Sequence, residues 1–234
     1  DKFDIDGGSG CRQLVLWNPE EREIIGGYRF ICGADAKIIN GKPWLTSEHL
    51  FDYSVEFIEK FLPDTIELGR SFICPKYQSG ASSTKSMYAL DNLWDGIGAL
   101  IVKFKAKYLF GKASIYSHFG DDAFAIIRHF LNLYFADSRN LVYAKNPIKT
   151  DVSEEIKSLF CGNNYKDDYV VLKRELKKLD RHIPPLVNSY MNVSPSMIAF
   201  DSTINEEFGN VYETGLLVTT ADMYEEKVKR HMEF

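Results

Sequence analysis

The feature that most constrains the fold is the order of three segments over residues 65–98: a short apolar run, a loop of small polar residues and a long amphipathic run. The apolar run, TIELGRSFI, is typical of a buried strand, although it contains Glu67 and Arg70. From Met87 onward, apolar residues recur at helical spacing and predict a long helix with one buried face. A helix N-terminus carries free N–H groups and partial positive charge, so this order of segments suits the binding of a phosphate.

The loop over residues 76–86 contains the side chains that would complete such an anion site. Ser82, Ser83 and Thr84 are candidate N-caps of the helix. Lys85 falls in the first helical turn, where the helix dipole disfavours a cation unless an anion is bound. A solvated lysine is an equally good interpretation, so the loop favours a phosphate site without establishing one.

The strand itself carries ionisable residues, which need partners inside a core and are common at functional sites. Strict alternation places Glu67 and Ser71 on one face and Arg70 and Phe72 on the other. A bulge at Gly69 would flip the downstream face, so that Glu67 and Arg70 meet in one cleft. A structural ion pair at a sheet edge explains the same two residues equally well.

Composition excludes several classes of protein. A chain of 234 residues with 45% hydrophobic and 26% charged residues suits one domain, or one domain with an appendage. A net charge of −5 argues against nucleic-acid binding, and no apolar run reaches the roughly 18 residues of a membrane-spanning helix. Four widely spaced cysteines indicate reduced thiols in a cytosolic protein, and five scattered histidines without an H-E-x-x-H motif predict no metal site. Because the chain begins at Asp1 rather than Met, we expect a fragment that lacks an N-terminal part.

Two β-branched and aromatic runs, at residues 12–17 and 22–32, flank an Asn-Pro-Glu-Glu turn and predict an antiparallel hairpin. Gly26 and Gly27 within the second run indicate a bulge or a close backbone approach. Arg29 follows them. An exposed charge is the favoured interpretation of Arg29, and a charge turned into a cleft is the alternative.

The other predicted elements are helices at 47–62, 121–135, 152–160 and 167–181 and strands at 108–116 and 212–219. The sequence changes character after Pro147, so we predict a core over residues 1–147 and a C-terminal extension over 148–234. The helix at 167–181 has a face rich in lysine and arginine. Solvation of this face is the favoured interpretation, and docking to an acidic partner or an anionic lipid is the alternative.

Four ordered motifs carry a resemblance that spans nearly the whole chain. They are E-L-G-R-S at 67–71, L-W-D-G-I at 93–97, Y-L-F-G-K-A-S at 108–114 and I-P-P-L at 183–186. Together they resemble the bacterial acyl-carrier-protein-dependent N-acyltransferases of ornithine- and glycine-lipid synthesis, often labelled hemolysin-like. The resemblance implies the GNAT fold, an α/β (α+β) architecture with a mixed, mostly antiparallel central sheet flanked by helices and a C-terminal helical and strand extension.

The same core is similar to the acyl-homoserine-lactone synthases, which also take acyl groups from acyl carrier protein. Their D-x-F-D motif, the arginine of the following strand and their E-x-x-R motif match Asp1, Phe3, Asp4, Arg29, Glu67 and Arg70. The resemblance implies that Asp1, Phe3 and Asp4 bind the acceptor. It implies catalytic roles for Glu67, Arg70, Arg29 and Ser71. The implied donor-binding residues are Phe72, Lys76, Gln78, Ser79, Gly80, Ser82, Ser83, Thr84, Lys85 and Trp94, although Trp94 lies on the predicted buried helix face, where a core role is favoured.

The loop and the strand also bear on the substrates. A CoA-binding GNAT loop typically has the sequence Gln/Arg-x-x-Gly-x-Gly/Ala, which residues 78–81 only approximate in a longer loop. This departure favours acyl carrier protein over acetyl-CoA as the donor. Phe72, where ornithine-type sequences often carry cysteine, and the serine-rich insertion favour a glycine acceptor.

The implied reaction is attack of an amino acid's α-amine on an acyl thioester, without a covalent enzyme intermediate or a tightly bound cofactor. Glu67 would take the amine proton directly or through water, and strand amides of residues 69–72 would polarise the carbonyl. Arg29 or Arg70 would hold the acceptor carboxylate, and the loop at 79–85 would hold the phosphopantetheine phosphate. The implied partners are acyl carrier protein and the amino acid, with peripheral membrane contact also open, in a cytoplasmic protein.

Three alternatives stay open from the sequence. An acetyl-CoA-dependent N-acetyltransferase has the same fold. The hemolysin label suggests a membrane-active protein, although the sequence offers no spanning segment. A non-catalytic binder of acyl carrier protein would need Lys76 and Lys85 but would tolerate the loss of Glu67.

Overall fold

The computed structural model of the protein describes residues 10–78, 84–148 and 152–233. Its strands are β1 (Arg12–Asn18), β2 (Glu23–Cys32), β3 (Ile38–Ile39), β4 (Lys42–Pro43), β5 (Phe51–Tyr53), β6 (Thr65–Ile73), β7 (Tyr108–Ile115), β8 (Val142–Ala144), β9 (Ile198–Asn205) and β10 (Val211–Thr219). Its helices are α1 (Thr84–Phe104), α2 (Asp121–Phe135), α3 (Glu154–Lys157), α4 (Tyr165–Lys178), α5 (Pro185–Met191) and α6 (Glu225–His231).

The main sheet has six strands in the order β1-β2-β6-β7-β10-β9, and the pairs β3-β4 and β5-β8 form small separate sheets. Strand β6 is parallel to β7, whereas β1 with β2, β2 with β6 and β9 with β10 are antiparallel. Helix α1 packs on β1, β2 and β6, and α2 packs on β9. The predicted α/β fold, with a mixed, mostly antiparallel sheet flanked by helices, is confirmed.

The described residues divide into two compact units. The first unit takes those within 1–48, 55–111 and 219–234, and the second takes those within 49–54 and 112–218. The predicted division into a core at 1–147 and an extension at 148–234 follows chain order instead, and it stays a prediction.

In the first unit, β1 and β2 form the predicted hairpin. The side-chain oxygen of Asn18 closes the turn by accepting hydrogen bonds from the N–H groups of Glu20 and Glu21 at 3.0 and 3.2 Å. The glycine pair of β2 reflects close backbone approach, since a Cβ on Gly26 would lie 2.6 Å from the carbonyl oxygen of Phe72. A larger residue at position 26 would force β2 and β6 apart.

Helix α1 covers one face of this part of the sheet. Its Gly96 lies against the side chain of Leu14, where an added Cβ would come within 2.9 Å of a methyl carbon. Helix α6 packs in turn on α1, where Nδ1 of His231 lies 2.7 Å from a carboxylate oxygen of Asp95. The first unit therefore has the layered order sheet, α1, α6.

The predicted helix over residues 47–62 is wrong in its first half. Residues 51–53 form β5 instead, in which Phe51 pairs with Ala144 of β8. Helical structure begins at residue 55 and includes the π-helical segment Phe57–Phe61. Pairing with a strand distant in sequence outweighs the local helical pattern here.

The second unit has an aromatic core between α2 and α4. The ring of Phe130 lies 5.0, 5.3 and 5.6 Å, between centroids, from those of Tyr134, Phe160 and Tyr165. Asp168 of α4 accepts a 2.6 Å hydrogen bond from the hydroxyl of Tyr134. This contact ties the two helices together beside the aromatic rings.

The predicted helix at 121–135 is confirmed as α2, and the strand at 212–219 appears as β10. Strand β9, which pairs with β10 in antiparallel register, is absent from the sequence-based prediction. Within the described ranges, none of the helices is both long enough and apolar enough to cross a membrane.

Candidate active site

Strand β6 contains a β-bulge immediately after Gly69. The register of β2 against β6 shifts between Gly27 and Arg29, where one residue of β2 faces both Arg70 and Ser71. Arg70 adopts the left-handed conformation with a φ of 45°, as the first residue of some bulges does. The bulge that the sequence suggested at Gly69 therefore lies one residue further along the strand.

Glu67 lies in the buried half of β6, with 2% of its surface exposed. Its Oε2 accepts a 2.7 Å hydrogen bond from the N–H of Thr46, and its Oε1 accepts one of 3.0 Å from the N–H of Ser47. The Ser47 hydroxyl also donates to Oε1. Burial raises the pKa of Glu67, and these hydrogen bonds oppose part of that rise. The result is an oriented carboxyl group that holds a proton more readily than an exposed glutamate does.

Arg29 lies on the same face of the sheet as Glu67. It pairs with Gly69 across the two strands, and it is buried, with 7% exposure. A Cβ added to Gly69 would lie 3.9 Å from Nη2 of Arg29 and 3.7 Å from Oγ1 of Thr46. Gly69 thus leaves a small space between a guanidinium and a hydroxyl, next to the Glu67 carboxyl group. We call Arg29, Thr46, Glu67 and Gly69 the Arg29 cluster.

Beyond the bulge, β6 is exposed. Arg70, Ser71 and Phe72 all reach solvent, whereas Glu67 is buried. Glu67 and Arg70 therefore occupy different environments, and Arg29 is the arginine that shares the buried face with Glu67. The predicted cleft shared by Glu67 and Arg70 stays a prediction, and Arg29 is the arginine whose burial matches that of Glu67.

Two of the predicted donor-binding side chains, Lys76 and Gln78, bind other groups of the protein. The Lys76 ammonium lies 2.6 Å from a carboxylate oxygen of Glu21 and 2.7 Å from one of Glu23, and these two carboxylates raise the pKa of Lys76. The Gln78 amide donates a 2.8 Å hydrogen bond to the carbonyl oxygen of Ile73. Their donor-binding roles stay predictions.

The remaining predicted residues lie at α1 or outside the described ranges. The described part of α1 starts at Thr84, so Lys85 is in its first turn. Trp94 is buried, with 6% exposure, and its ring lies 6.3 Å from that of His231, as the core interpretation expects. Asp1, Phe3, Asp4, Ser79, Gly80, Ser82 and Ser83 lie outside the described residues.

Two groups of side chains around β6 were missed at the sequence level. Thr46 and Ser47 lie next to and at the start of the predicted helix over residues 47–62, but they donate hydrogen bonds to Glu67. Tyr28 faces the bulge, and its pKa is raised to about 12 because the effect of burial exceeds the opposing effect of a hydrogen bond with the Ser71 side chain. The useful clue is Glu67 itself, because a buried carboxylate requires nearby donors.

Within the described ranges, no group of three or more histidine, cysteine, aspartate or glutamate side chains is placed to hold a metal ion. The Arg29 cluster offers a carboxyl group, a guanidinium and nearby backbone amides. Such a set can accept a proton, hold an anion and polarise a carbonyl group.

Comparison with known proteins defines the class first. Residues 1–87 match the acetyltransferase (GNAT) domain family. This match covers 87 of the 234 residues, and the mixed sheet with the bulged strand β6 followed by α1 agrees with an acyltransferase of the GNAT superfamily.

Two curated relatives define the family more closely. The glycine N(alpha)-acyltransferase of Bacteroides thetaiotaomicron is 45% identical over 225 residues, which are 95% of this chain and 67% of that protein. The glycine N(alpha)-acyltransferase of Phocaeicola vulgatus is 43% identical over 225 residues, which are 95% of this chain and 69% of the relative. The chain belongs to the glycine N(alpha)-acyltransferase family.

A solved structure, that of the CoA-dependent acyl-homoserine lactone synthase MesI, aligns with 94% of this chain and 66% of its own chain. The sequence identity is 11% and the TM-score is 0.37. This likeness is too low to add to the assignment.

Proposed function

We propose that this N-acyltransferase moves a fatty acyl group, including 3-hydroxy fatty acyl groups, from acyl carrier protein to the α-amine of glycine. The glycine acceptor is supported by two relatives of 45% and 43% identity that are named for it. The single structural observation that carries the proposal is the Arg29 cluster, in which a buried carboxyl group and a buried guanidinium flank the space at Gly69.

Glu67 is the proposed general base. The α-ammonium of the acceptor must lose a proton before the nitrogen can attack the thioester carbonyl. A carboxylate whose pKa is raised by burial is a better proton acceptor than an exposed one. The hydrogen bonds from Thr46 and Ser47 hold the carboxylate in a fixed orientation, which lowers the cost of aligning it with the substrate.

Arg29 is the proposed binder of the acceptor carboxylate. A guanidinium binds a carboxylate through two parallel hydrogen bonds, and the interaction is stronger in a desolvated position. Arg29 is buried, whereas Arg70 is exposed at the bulge, so burial favours Arg29 for this role. The space at Gly69 suits an acceptor without a side chain.

The bulge supports a second part of the mechanism. At a β-bulge the regular ladder of hydrogen bonds is interrupted, and backbone amides can point away from the neighbouring strand. We propose that amides of residues 69–72 donate to the thioester oxygen as negative charge develops on it during attack. The new C–N bond forms as the C–S bond breaks, and the phosphopantetheine sulfur leaves as a thiolate that takes up a proton released by the amine. The phosphopantetheine phosphate would then lie at the N-terminal end of α1.

The decisive experiment is an acylation assay on the purified protein with defined donors and acceptors. A long-chain acyl thioester would be supplied on acyl carrier protein or on CoA, and acetyl-CoA would be the third donor. Each donor would be combined with glycine or ornithine, and the products measured by mass spectrometry. We expect N-acylglycine from acyl carrier protein. Turnover only with acetyl-CoA, or only with ornithine, would contradict the proposal.

A further inference from the structure

Helix α4 carries a row of cations along its solvent face. Lys166, Lys173 and Lys177 follow one another at spacings of seven and four residues, so they lie on one side of the helix. All three are exposed. Arg174 and Lys178 continue the positive surface on the adjacent side of the helix and are also exposed. We call these five side chains the lysine row.

The opposite side of α4 holds the helix in place. Leu172 and Leu176 have no exposed surface, and Asp168 is 3% exposed. Asp168 accepts hydrogen bonds from the N–H groups of Cys161 and Gly162 at 3.1 and 2.8 Å. The lysine row therefore projects into solvent from a helix that is fixed on its other side.

The charges of the lysine row are only partly compensated. Arg174 and Lys178 share one carboxylate, that of Glu175, at 2.9 and 2.6 Å. Within the described ranges, Lys166, Lys173 and Lys177 have no carboxylate within salt-bridge distance. Lys173 instead lies over the ring of Tyr169, 4.7 Å from its centroid. Like charges aligned on one helix face repel one another, so an acidic partner would relieve this repulsion.

The positive charge of the lysine row contrasts with the negative charge of the whole chain. The chain as a whole has a net charge of −5, yet on the solvent side of α4 five cations outnumber two carboxylates, those of Glu175 and the exposed Asp167. From Lys166 to Lys177 the row is roughly 16 Å long at the rise of an α-helix. A surface of this length and sign complements an acidic helix of about three turns.

We propose that the lysine row is the docking surface for the acidic helical face of the acyl carrier protein that brings the donor. The inference rests on the proposed function for the identity of the donor, and it adds where the carrier binds. Acidic carriers are steered to such surfaces before the thioester is engaged. No residue of the lysine row belongs to the Arg29 cluster.

A lipid surface is the competing occupant, and the structure disfavours it. A helix that lies on a membrane inserts a broad apolar face. The apolar residues Leu172 and Leu176 are already buried within the protein. The solvent face offers Val170, which is 62% exposed, among the cations. One valine is too little apolar surface for insertion, whereas it suits the edge of a protein interface.

The test compares two triple variants with the same change in charge. The first is Lys166→Glu/Lys173→Glu/Lys177→Glu. The control is Lys37→Glu/Lys42→Glu/Lys145→Glu, which reverses three exposed lysines elsewhere in the chain. Each protein is assayed with an acyl group on acyl carrier protein and with the same acyl group on pantetheine.

We expect the first variant to raise KM for the acyl carrier protein substrate by about tenfold or more. Its KM for acyl-pantetheine should stay unchanged, and the control should match the unmodified protein with both donors. High salt should raise KM for the carrier substrate in the unmodified protein and much less in the first variant. An unchanged KM in the first variant, or an equal rise in both variants, would overturn the inference.

Direct binding separates this inference from the proposed function. Titration of the protein with carrier protein, and with anionic phospholipid vesicles, measures docking without turnover. The unmodified protein could bind the carrier and make no N-acylglycine, while the first variant no longer binds the carrier. That result would support the docking surface and contradict the proposed function. If the first variant keeps both normal turnover and an unchanged affinity for the carrier, the proposed function would be supported and the docking surface contradicted. Loss of vesicle binding alone would assign the row to lipid and overturn the inference.

Discussion

Two strands of the sheet carry the same short pattern, a buried glutamate followed two residues later by a glycine. In β6 the pair is Glu67 and Gly69, and in β10 it is Glu213 and Gly215. The two glutamates are about equally buried, at 2% and 0% exposure. The two pairs differ in the hydrogen-bond donors around the glutamate and in the space beside the glycine.

The first difference is in the hydrogen-bond donors. Glu67 is bound by neutral groups, the N–H groups of Thr46 and Ser47 and the Ser47 hydroxyl. Glu213 is bound by the Lys112 ammonium at 2.6 Å and by the Ser114 hydroxyl at 2.8 Å. Asn205 adds a third donor to Glu213 at 3.2 Å.

The second difference is in the space beside each glycine. A Cβ on Gly69 would meet polar atoms of Thr46 and Arg29 at 3.7 and 3.9 Å. A Cβ on Gly215 would lie 3.2 Å from the ring of Phe200, which is tighter than ordinary packing. The space beside Glu67 is open and polar, whereas the one beside Glu213 is filled and apolar.

The comparison bears on the proposed catalytic role of Glu67 and on the structural role of Glu213. Burial raises the pKa of Glu67 against the opposing effect of its neutral hydrogen-bond donors, so its carboxylate is a stronger base than that of an exposed glutamate. Glu213 is bound directly by the Lys112 ammonium, and removal of either partner leaves the other charge buried without compensation. We infer that the pattern in β6 serves chemistry and that the pattern in β10 serves the fold.

The largest effect that would test this contrast is expected from Glu67→Gln. The amide cannot take the proton of the acceptor amine, so turnover should fall by about a hundredfold to ten-thousandfold. The measurement is N-acylglycine formation under saturating substrates, with thermal unfolding to establish that the variant is folded. Glu213→Gln, corrected for its folded fraction, should keep its turnover. Equal losses in both variants would remove the distinction between the two carboxyl groups.

The next largest effect is expected on stability, at the ion pair of Lys112 and Glu213. Lys112→Met leaves Glu213 without its cation, and because 22% of the Lys112 side chain is exposed we expect a loss of about 2–3 kcal/mol in the free energy of unfolding. Denaturant unfolding measures it. The double variant Lys112→Met/Glu213→Gln should regain part of the loss, since it removes the unpaired charge as well. A double variant no more stable than Lys112→Met would show that the carboxylate is not the source of the cost.

A smaller effect concerns pH, and its sign follows from the direction of each pKa change. Burial raises the pKa of Glu67, so the folded protein holds this proton to a higher pH than the unfolded chain does. The resulting stabilisation is complete below the ordinary carboxyl pKa and is lost as pH rises through the raised value. We expect the stability of the unmodified protein relative to Glu67→Gln to decline over that window.

Glu175 provides the control of opposite sign. A hydrogen bond from Lys178 lowers its pKa, so its stabilisation is present above the ordinary carboxyl pKa and is lost as pH falls. Unfolding measured across the acid range should therefore give opposite slopes for Glu67→Gln and Glu175→Gln relative to the unmodified protein. Parallel slopes would contradict the raised pKa of Glu67.

The contrast between the two glutamates also marks how far the sequence leads. Local patterns were enough to predict the hairpin, strand β6 and helix α2. They also drew attention to Glu67, whose catalytic role stays a prediction. They did not predict β5, because it forms by pairing with a strand that lies far away in the chain. They did not predict β9, because it lacks a clear pattern of its own. They could not separate Glu67 from Glu213, since donors such as Thr46 and Lys112 are brought in from other elements. The choice between Arg29 and Arg70 likewise depends on burial and on the position of the bulge.

The smallest expected effect comes from adding one methyl group beside each glutamate. Gly69→Ala fills the polar space without a close contact, so its unfolding free energy should change by less than about 0.5 kcal/mol. Because the methyl group occupies the proposed acceptor position, KM for glycine should rise roughly threefold. Gly215→Ala presses on Phe200 and should cost about 1 kcal/mol of stability, with no change in KM for glycine. Steady-state kinetics and denaturant unfolding on both variants measure the two responses. If Gly69→Ala lowers stability and leaves KM unchanged, the space between Arg29 and Thr46 is packing rather than a substrate position, and Arg70 at the exposed bulge becomes the better candidate for the acceptor carboxylate.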